Sequence, residues 1–244
     1  MKKSEYQNIF NLEEKHWWYS GMKKISFILL SPILERKNLK ILDAGCGTGG
    51  MMMSLGEFGQ VYGIDLSQEA IKFCQKRNLE AIQASIEKIP FKDNYFDLIT
   101  CFDVLYHQWV KNDQLAINEF FRTLKPGGYL LLRVPAYQFL TGKHDEVVAT
   151  RHRYSKAEVL EKLEGEGFKI KRITFANMFL FPIALIKRFS EKRMSKDATS
   201  EIKEELRIVN QFLKGILSLE AFLISKINLP FGLSIFCLAQ KPRS

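Results

Sequence analysis

The sequence predicts an α/β fold with a doubly wound sheet and a helical cap, and three observations carry that prediction. A short apolar strand at Ile41-Leu42 runs into a turn with glycines at 45, 47, 49 and 50, followed by a helix. From there to about residue 135, apolar strand-like runs alternate with helical stretches, the pattern that buries a parallel sheet under helices. Outside that alternation lie a helical N-terminus and a long apolar helical stretch at about 177–230.

A chain of 244 residues suffices for one such domain with a decorated edge. At 46% hydrophobic and 26% charged residues it has ordinary globular composition. Its four cysteines are scattered without a C-x-x-C pair, which argues against a disulfide framework or zinc site and fits a reducing cytoplasm. The first residues lack an apolar signal-peptide core, and no apolar run reaches the ~20 residues of a spanning helix. The net charge of +9 favours anionic partners without choosing among them; the basic residues are dispersed except near 187–196, and no nucleic-acid motif is present.

Taken in order, residues 5–35 read as helices holding an aromatic cluster, Glu13-Glu14-Lys15-His16-Trp17-Trp18-Tyr19, either a cap on the core or a lid over a ligand. The glycine turn allows positive φ and leaves bare peptide groups at the carboxyl end of a strand, where open α/β sheets bind ligands. Gly45, Gly47 and Gly50 fit the dinucleotide pattern G-x-G-x-x-G, but Asp43 beside them suits a cationic ligand better than a pyrophosphate. Met51–Phe58 continues the first helix. The second strand, Gln60–Asp65, ends in an acid about 20 residues past Gly45, the distance at which a carboxylate reaches ribose hydroxyls. A helix over 68–77 is capped by Ser67 and stopped by Asn78; Glu80–Ser85 is the third strand, Phe96–Phe102 the fourth, and 112–124 the next helix. Leu124-Lys125-Pro126-Gly127-Gly128 is a stop and turn before the fifth strand, which ends at Pro135.

Asp43-x-Gly45-x-Gly47-x-Gly49, Asp65 and Leu-Lys-Pro-Gly-Gly at 124–128 resemble, in order and spacing, the landmarks of class I S-adenosylmethionine-dependent methyltransferases of the type 11 kind. The resemblance covers residues 39 to about 135 and implies a Rossmann-like, seven-stranded mixed sheet. Phe168–Thr174 and Leu233–Gln240 would then be strands six and seven, with seven antiparallel between five and six. It also implies S-adenosylmethionine as cofactor, its methionine end over Gly45, Cys46, Gly47, Thr48 and Gly49 with Asp43 nearby. Asp65 would bind the ribose, Leu66 would also contact the cofactor, Ser85 and Ile86 would flank the adenine, and Phe102 and Asp103 would close the pocket near the sulfonium. Ser85 departs from the family, which often has an aspartate at that position, and puts the adenine contact in doubt.

The 136–154 loop gathers Tyr137, His144, Asp145, Arg151, His152 and Arg153 at the functional edge of the sheet. Uncharacterised bacterial methyltransferases are similar in this run and in the His-Trp-Trp cluster. If a base is needed, His144, His152 and His107 are candidates in that order, with Asp145 as an orienter. A capping box, Ser155 with Glu158, starts a helix that stops near Gly165–Gly167. The 177–230 insertion carries an apolar helix at 178–189 with a basic end and an amphipathic stretch at 200–227. It packs on its own domain, on a second subunit or against a membrane.

The expectation is therefore one domain over 1–244: a lid at 1–36, the core at 37–176, the insertion at 177–230 and the last strand at 231–244. It is a cytoplasmic enzyme moving a methyl group to an oxygen or nitrogen of a small, amphipathic or lipid-linked substrate. No metal or nucleic acid is expected; peripheral membrane contact and oligomerisation through the insertion are open. The alternatives are a non-catalytic cofactor-binding or membrane-surface protein and an NAD-dependent oxidoreductase.

Overall fold

A computed structural model describes residues 3–142, 145, 148–191 and 206–243. Seven strands form one sheet: β1 Leu39–Ala44, β2 Gly59–Asp65, β3 Ala81–Gln83, β4 Phe96–Phe102, β5 Leu124–Pro135, β6 Lys169–Ala176 and β7 Ser234–Gln240. Their order is β3-β2-β1-β4-β5-β7-β6. All pairings are parallel except those of β7, which runs antiparallel to both β5 and β6. The sheet is the predicted one. β1 and β4 are buried almost throughout, as strands covered on both faces must be.

The helices are α1 Lys3–Leu12, α2 Trp17–Leu34, α3 Gly50–Leu55, α4 Gln68–Lys76, α5 Asp113–Thr123, α6 Lys156–Gly165, α7 Phe181–Glu191 and α8 Arg207–Lys226. Asn112 caps α5, its Oδ1 accepting from the amides of Gln114 and Leu115. Ser155 and Glu158 form the expected capping box on α6. Asn78 takes the left-handed conformation that ends α4, while Ser67 makes no side-chain cap bond.

Three boundaries differ from the sequence reading. The helix after the glycine turn, α3, ends at Leu55 and turns through a 3₁₀ segment, Gly56–Phe58, before β2. β3 stops at Gln83 because the Ser85 hydroxyl accepts from the Glu87 amide and turns the chain. β5 already begins at Leu124: the glycine turn is absorbed as a register shift in the β4–β5 pairing, with Gly127 at φ +80°.

The insertion is explained by what it packs on. α8 lies along α2, and a β-carbon on Gly21 would come within 2.7 Å of Leu217 Cβ, so the helices meet where α2 has no side chain. The Trp17 amide donates to Asn210 Oδ1 at 2.7 Å, and Asn210 Nδ2 donates to the Lys15 carbonyl at 3.1 Å. Glu220, fully buried, accepts from the amides of Asn177, Met178 (2.8 Å) and Phe179 (3.3 Å) and ties α8 to the turn that opens α7. Burial holds its carboxyl above the usual carboxylate range.

Candidate functional site

The tips of β1 and β2 build the first half of the site. The amides of Gly45 and Cys46 both donate to the Ile64 carbonyl, at 2.7 and 2.9 Å, and bind the glycine turn to β2. Gly45, Gly47 and Gly49 all have positive φ. A β-carbon at Gly45 would collide with Val104, whereas one at Gly47 would meet nothing within 4 Å. The turn thus presents an open peptide surface at Gly47. Gly49 corrects the sequence reading: it faces Leu79, whose Cδ1 would lie 2.5 Å from a β-carbon there, and it is not on the cavity wall. Its glycine serves the turn and the packing against α4.

Asp65 closes the loop, one oxygen accepting from the Gly47 amide at 3.0 Å and the other from the Ser67 amide at 2.8 Å. Each oxygen retains a further lone pair for a ligand. Asp43 is buried and accepts from the Thr100 hydroxyl at 2.7 Å. Burial pushes its pKa up to about 7, against the lowering pull of that hydrogen bond. Neither carboxylate makes an ion pair among the described residues. Both line a cavity of about 860 Å³, together with the other expected cofactor residues apart from Gly49.

The N-terminal segment covers this half. Glu13, between α1 and α2, accepts from the Thr48 hydroxyl and from Arg77 Nη1, both at 2.5 Å. Arg77 also donates to the Thr48 carbonyl at 2.9 Å. A β-carbon on Gly50 would strike the Glu13 carboxylate. Trp17 and Trp18 pack on the core and also line the cavity, so the aromatic cluster both caps the core and forms part of the cavity wall. The Glu13–Arg77 strap was not legible in the sequence, since its partners are far apart in the chain.

The second half of the cavity carries Tyr106, His107, Trp109, Leu140 and, from the insertion, Leu180 and Ala184. Arg133, on β5, was missed by the sequence reading; a lone arginine in the apolar run Leu130–Val134 was the available signal. It is buried and stacks over Trp18, Phe102 and Phe236, with ring centroids 4.9, 5.1 and 5.6 Å away. Its Nε donates to Asp103 at 3.0 Å and its Nη2 at 2.5 Å. Asp103 itself sits at φ +58°, a conformation unfavourable for a non-glycine residue and frequent at functional sites.

The histidine ranking changes. His144 lies outside the described residues. His152 is not on the cavity wall: its Nε2 is 3.0 Å from Glu158 Oε1 and its ring meets Tyr154 edge-on. Asp145 lines the cavity, and its carboxylate accepts from Arg153 and from the Gly142 amide, both at 2.8 Å, bonds that hold the loop. Of the two candidate histidines among the described residues, His107 lies on the wall, stacked near Trp109, with Nδ1 buried and unpartnered. Burial lowers its pKa to about 4, so the ring is neutral at pH 7.

A family model described as a methyltransferase domain matches residues 42–132. A ubiquinone/menaquinone biosynthesis C-methyltransferase of Azotobacter vinelandii is 35% identical, the match covering 59% of this chain and 70% of that protein. The chain belongs to the class I S-adenosylmethionine-dependent methyltransferases. An uncharacterised protein of Methanocaldococcus jannaschii is 33% identical over 59% of this methyltransferase and 60% of its own length. The chain spans less than two thirds of several relatives, 49% of the corresponding Psychromonas ingrahamii enzyme among them. In fold, it matches a chain of the Haloferax volcanii complex with the Trm112 methyltransferase activator, with a TM-score of 0.61, 17% identity and 98% of each chain covered.

The family match decides between the two readings of the glycine turn in favour of the methyl donor. The residues of this methyltransferase fit that donor: an open peptide surface at Gly47, and two carboxylates without a cationic partner beside it, suit a cationic sulfonium compound. Of the three cavity-lining cations, Arg133 and Arg153 are each neutralised by a carboxylate, and half-buried Lys23 makes no ion pair among the described residues.

Proposed function

We propose that the chain methylates an oxygen or nitrogen of a neutral, partly apolar acceptor held between Trp18, His107 and Leu180. The observation that carries this reading is a single cavity running from Gly47 to His107. Its volume, about 860 Å³, lies in the upper part of the ~300–1,000 Å³ range of ligand pockets and leaves room for donor and acceptor together. In this reading Asp65 binds the ribose, Ser85 and Ile86 flank the adenine, and Asp43 and Asp103 border the methionine end. When bound, S-adenosylmethionine supplies an activated methyl group on a good leaving group.

The neutral acceptor follows from charge. The two buried cations of the wall are spent, Arg133 on Asp103 and Arg153 on Asp145; Lys23, which also lines the cavity and makes no ion pair among the described residues, is only half-buried and keeps its charge in contact with water. The protein's part in the reaction is chiefly alignment, since a histidine with a pKa of about 4 is a weak base for an alcohol or phenol. His107 serves as a hydrogen-bonding group that orients the acceptor.

The test is transfer of labelled methyl from the donor to a panel of phenols, amines and lipid-linked acceptors, each in neutral and acidic forms. Transfer to neutral members that fails in Asp65→Ala supports the reading. Preference for the acidic members, or donor saturation without transfer to any nucleophile, overturns it.

A further inference from the structure

α8 has two apolar faces, and among the described residues only one is covered. The face carrying Leu217, Ala221 and Ile224 is buried. The other carries Ile208, Phe212, Leu219 and Phe222, more than half exposed in each case, with Gly215 between them. The steps 208, 212, 215, 219 and 222 alternate four and three, which aligns these positions as one stripe along the helix. Isolated exposed apolar residues are ordinary, but a continuous stripe of this length marks a contact surface.

We infer that this stripe docks the protein on an anionic lipid bilayer, the helix lying in the interface plane. Charge selects this occupant. The exposed charges of α8 are Arg207 and Lys226, and Lys214 is half-buried, all cationic; its one acid, Glu220, is fully buried. Phenylalanines and aliphatic residues on one side with lysine and arginine beside them is the pattern of an interfacial helix. A second copy fits less well, because antiparallel pairing about the middle of the helix would set Arg207 near the other copy's Lys226 at each end, with no exposed acid on the helix to offset them. Contrary to the sequence reading, α8 is long and apolar enough, by length and composition, to span a bilayer. Glu220 and the packing on α2 instead hold one face on the protein, which leaves the other face for the lipid surface. The same carboxylate ties the stripe to α7, whose Leu180 and Ala184 neighbourhood lines the cavity while Ile183 and Ile186 are exposed.

The experiment is co-sedimentation of the full chain with phosphatidylcholine vesicles, with and without roughly a third of phosphatidylglycerol. It is repeated for Phe212→Ser/Phe222→Ser and for Lys214→Glu, with melting curves to show that each variant is folded and light scattering to give its mass. The wild type is expected to sediment with the anionic vesicles, less in high salt, and the double variant to bind at least about tenfold more weakly. Absence of sedimentation with anionic vesicles, or equal binding by the folded double variant, overturns the proposal. A dimer that the double variant dissolves assigns the stripe to a second copy and overturns it too. Lys214→Glu, which leaves the apolar stripe whole, separates charge from burial: unchanged binding there refutes the anionic requirement.

Discussion

The two halves of the cavity are built by different means. Around Gly47 the wall is backbone, fixed by amides that donate to Ile64 and Asp65 and by the register of β1 on β2. Around His107 it is side chains, contributed by α2, the loop after β4, the loop after β5 and the insertion. A backbone wall is shared by any sequence that can make the turn, so it suits a donor common to a whole family. A side-chain wall changes with each substitution, so it suits an acceptor that differs among members.

The contrast predicts a gradient of sensitivity. Asp65→Ala should have the largest effect, removing charge-assisted hydrogen bonds of ~1.5–3 kcal/mol, or roughly 10- to 150-fold in donor affinity, as measured by calorimetry. Unchanged affinity would remove Asp65 from the donor site. Asp43 gives the next effect. Its pKa of about 7 means that below pH 7 the carboxyl is protonated and a cationic donor must expel that proton to gain its charge. Donor affinity should therefore rise by up to about tenfold per pH unit towards pH 7 and level off above it. Asp43→Asn should flatten that profile; a flat wild-type profile would separate Asp43 from donor binding.

On the acceptor side the effects should be smaller and of a different kind. His107→Ala should lower turnover about three- to tenfold, the worth of one neutral hydrogen bond, and leave donor affinity alone. A loss beyond about a hundredfold would show instead that His107 moves a proton. His152→Ala should change neither turnover nor donor affinity and should lower stability by about 0.5 kcal/mol, since its partner Glu158 is partly exposed. Loss of turnover in that variant would place His152 in the reaction.

How far the sequence could be read follows the same division. The glycine turn, Asp65 and the 124–128 stop are local signals, and the strand order follows from the family they resemble. The histidines of the 136–154 loop misled because a cluster in sequence need not converge in space. The capping box had already committed one Glu158 oxygen to the Ser155 amide, at 2.6 Å, and the other oxygen meets His152. Arg133 and Glu13 escaped because their partners, Asp103 and Arg77, come to them only through the sheet and the folded-back N-terminus. The insertion's place on α2 depended on Gly21, a residue with no side chain to advertise a contact.

That contact between Gly21 and Leu217 has a practical bearing. Helices from opposite ends of the chain are fitted to one another there, so the 177–230 segment is no detachable ornament. Trimming it back to a minimal fold would strip the wet side of α2 bare and unseat Trp17 from Asn210. The reaction chamber would be left without its roof.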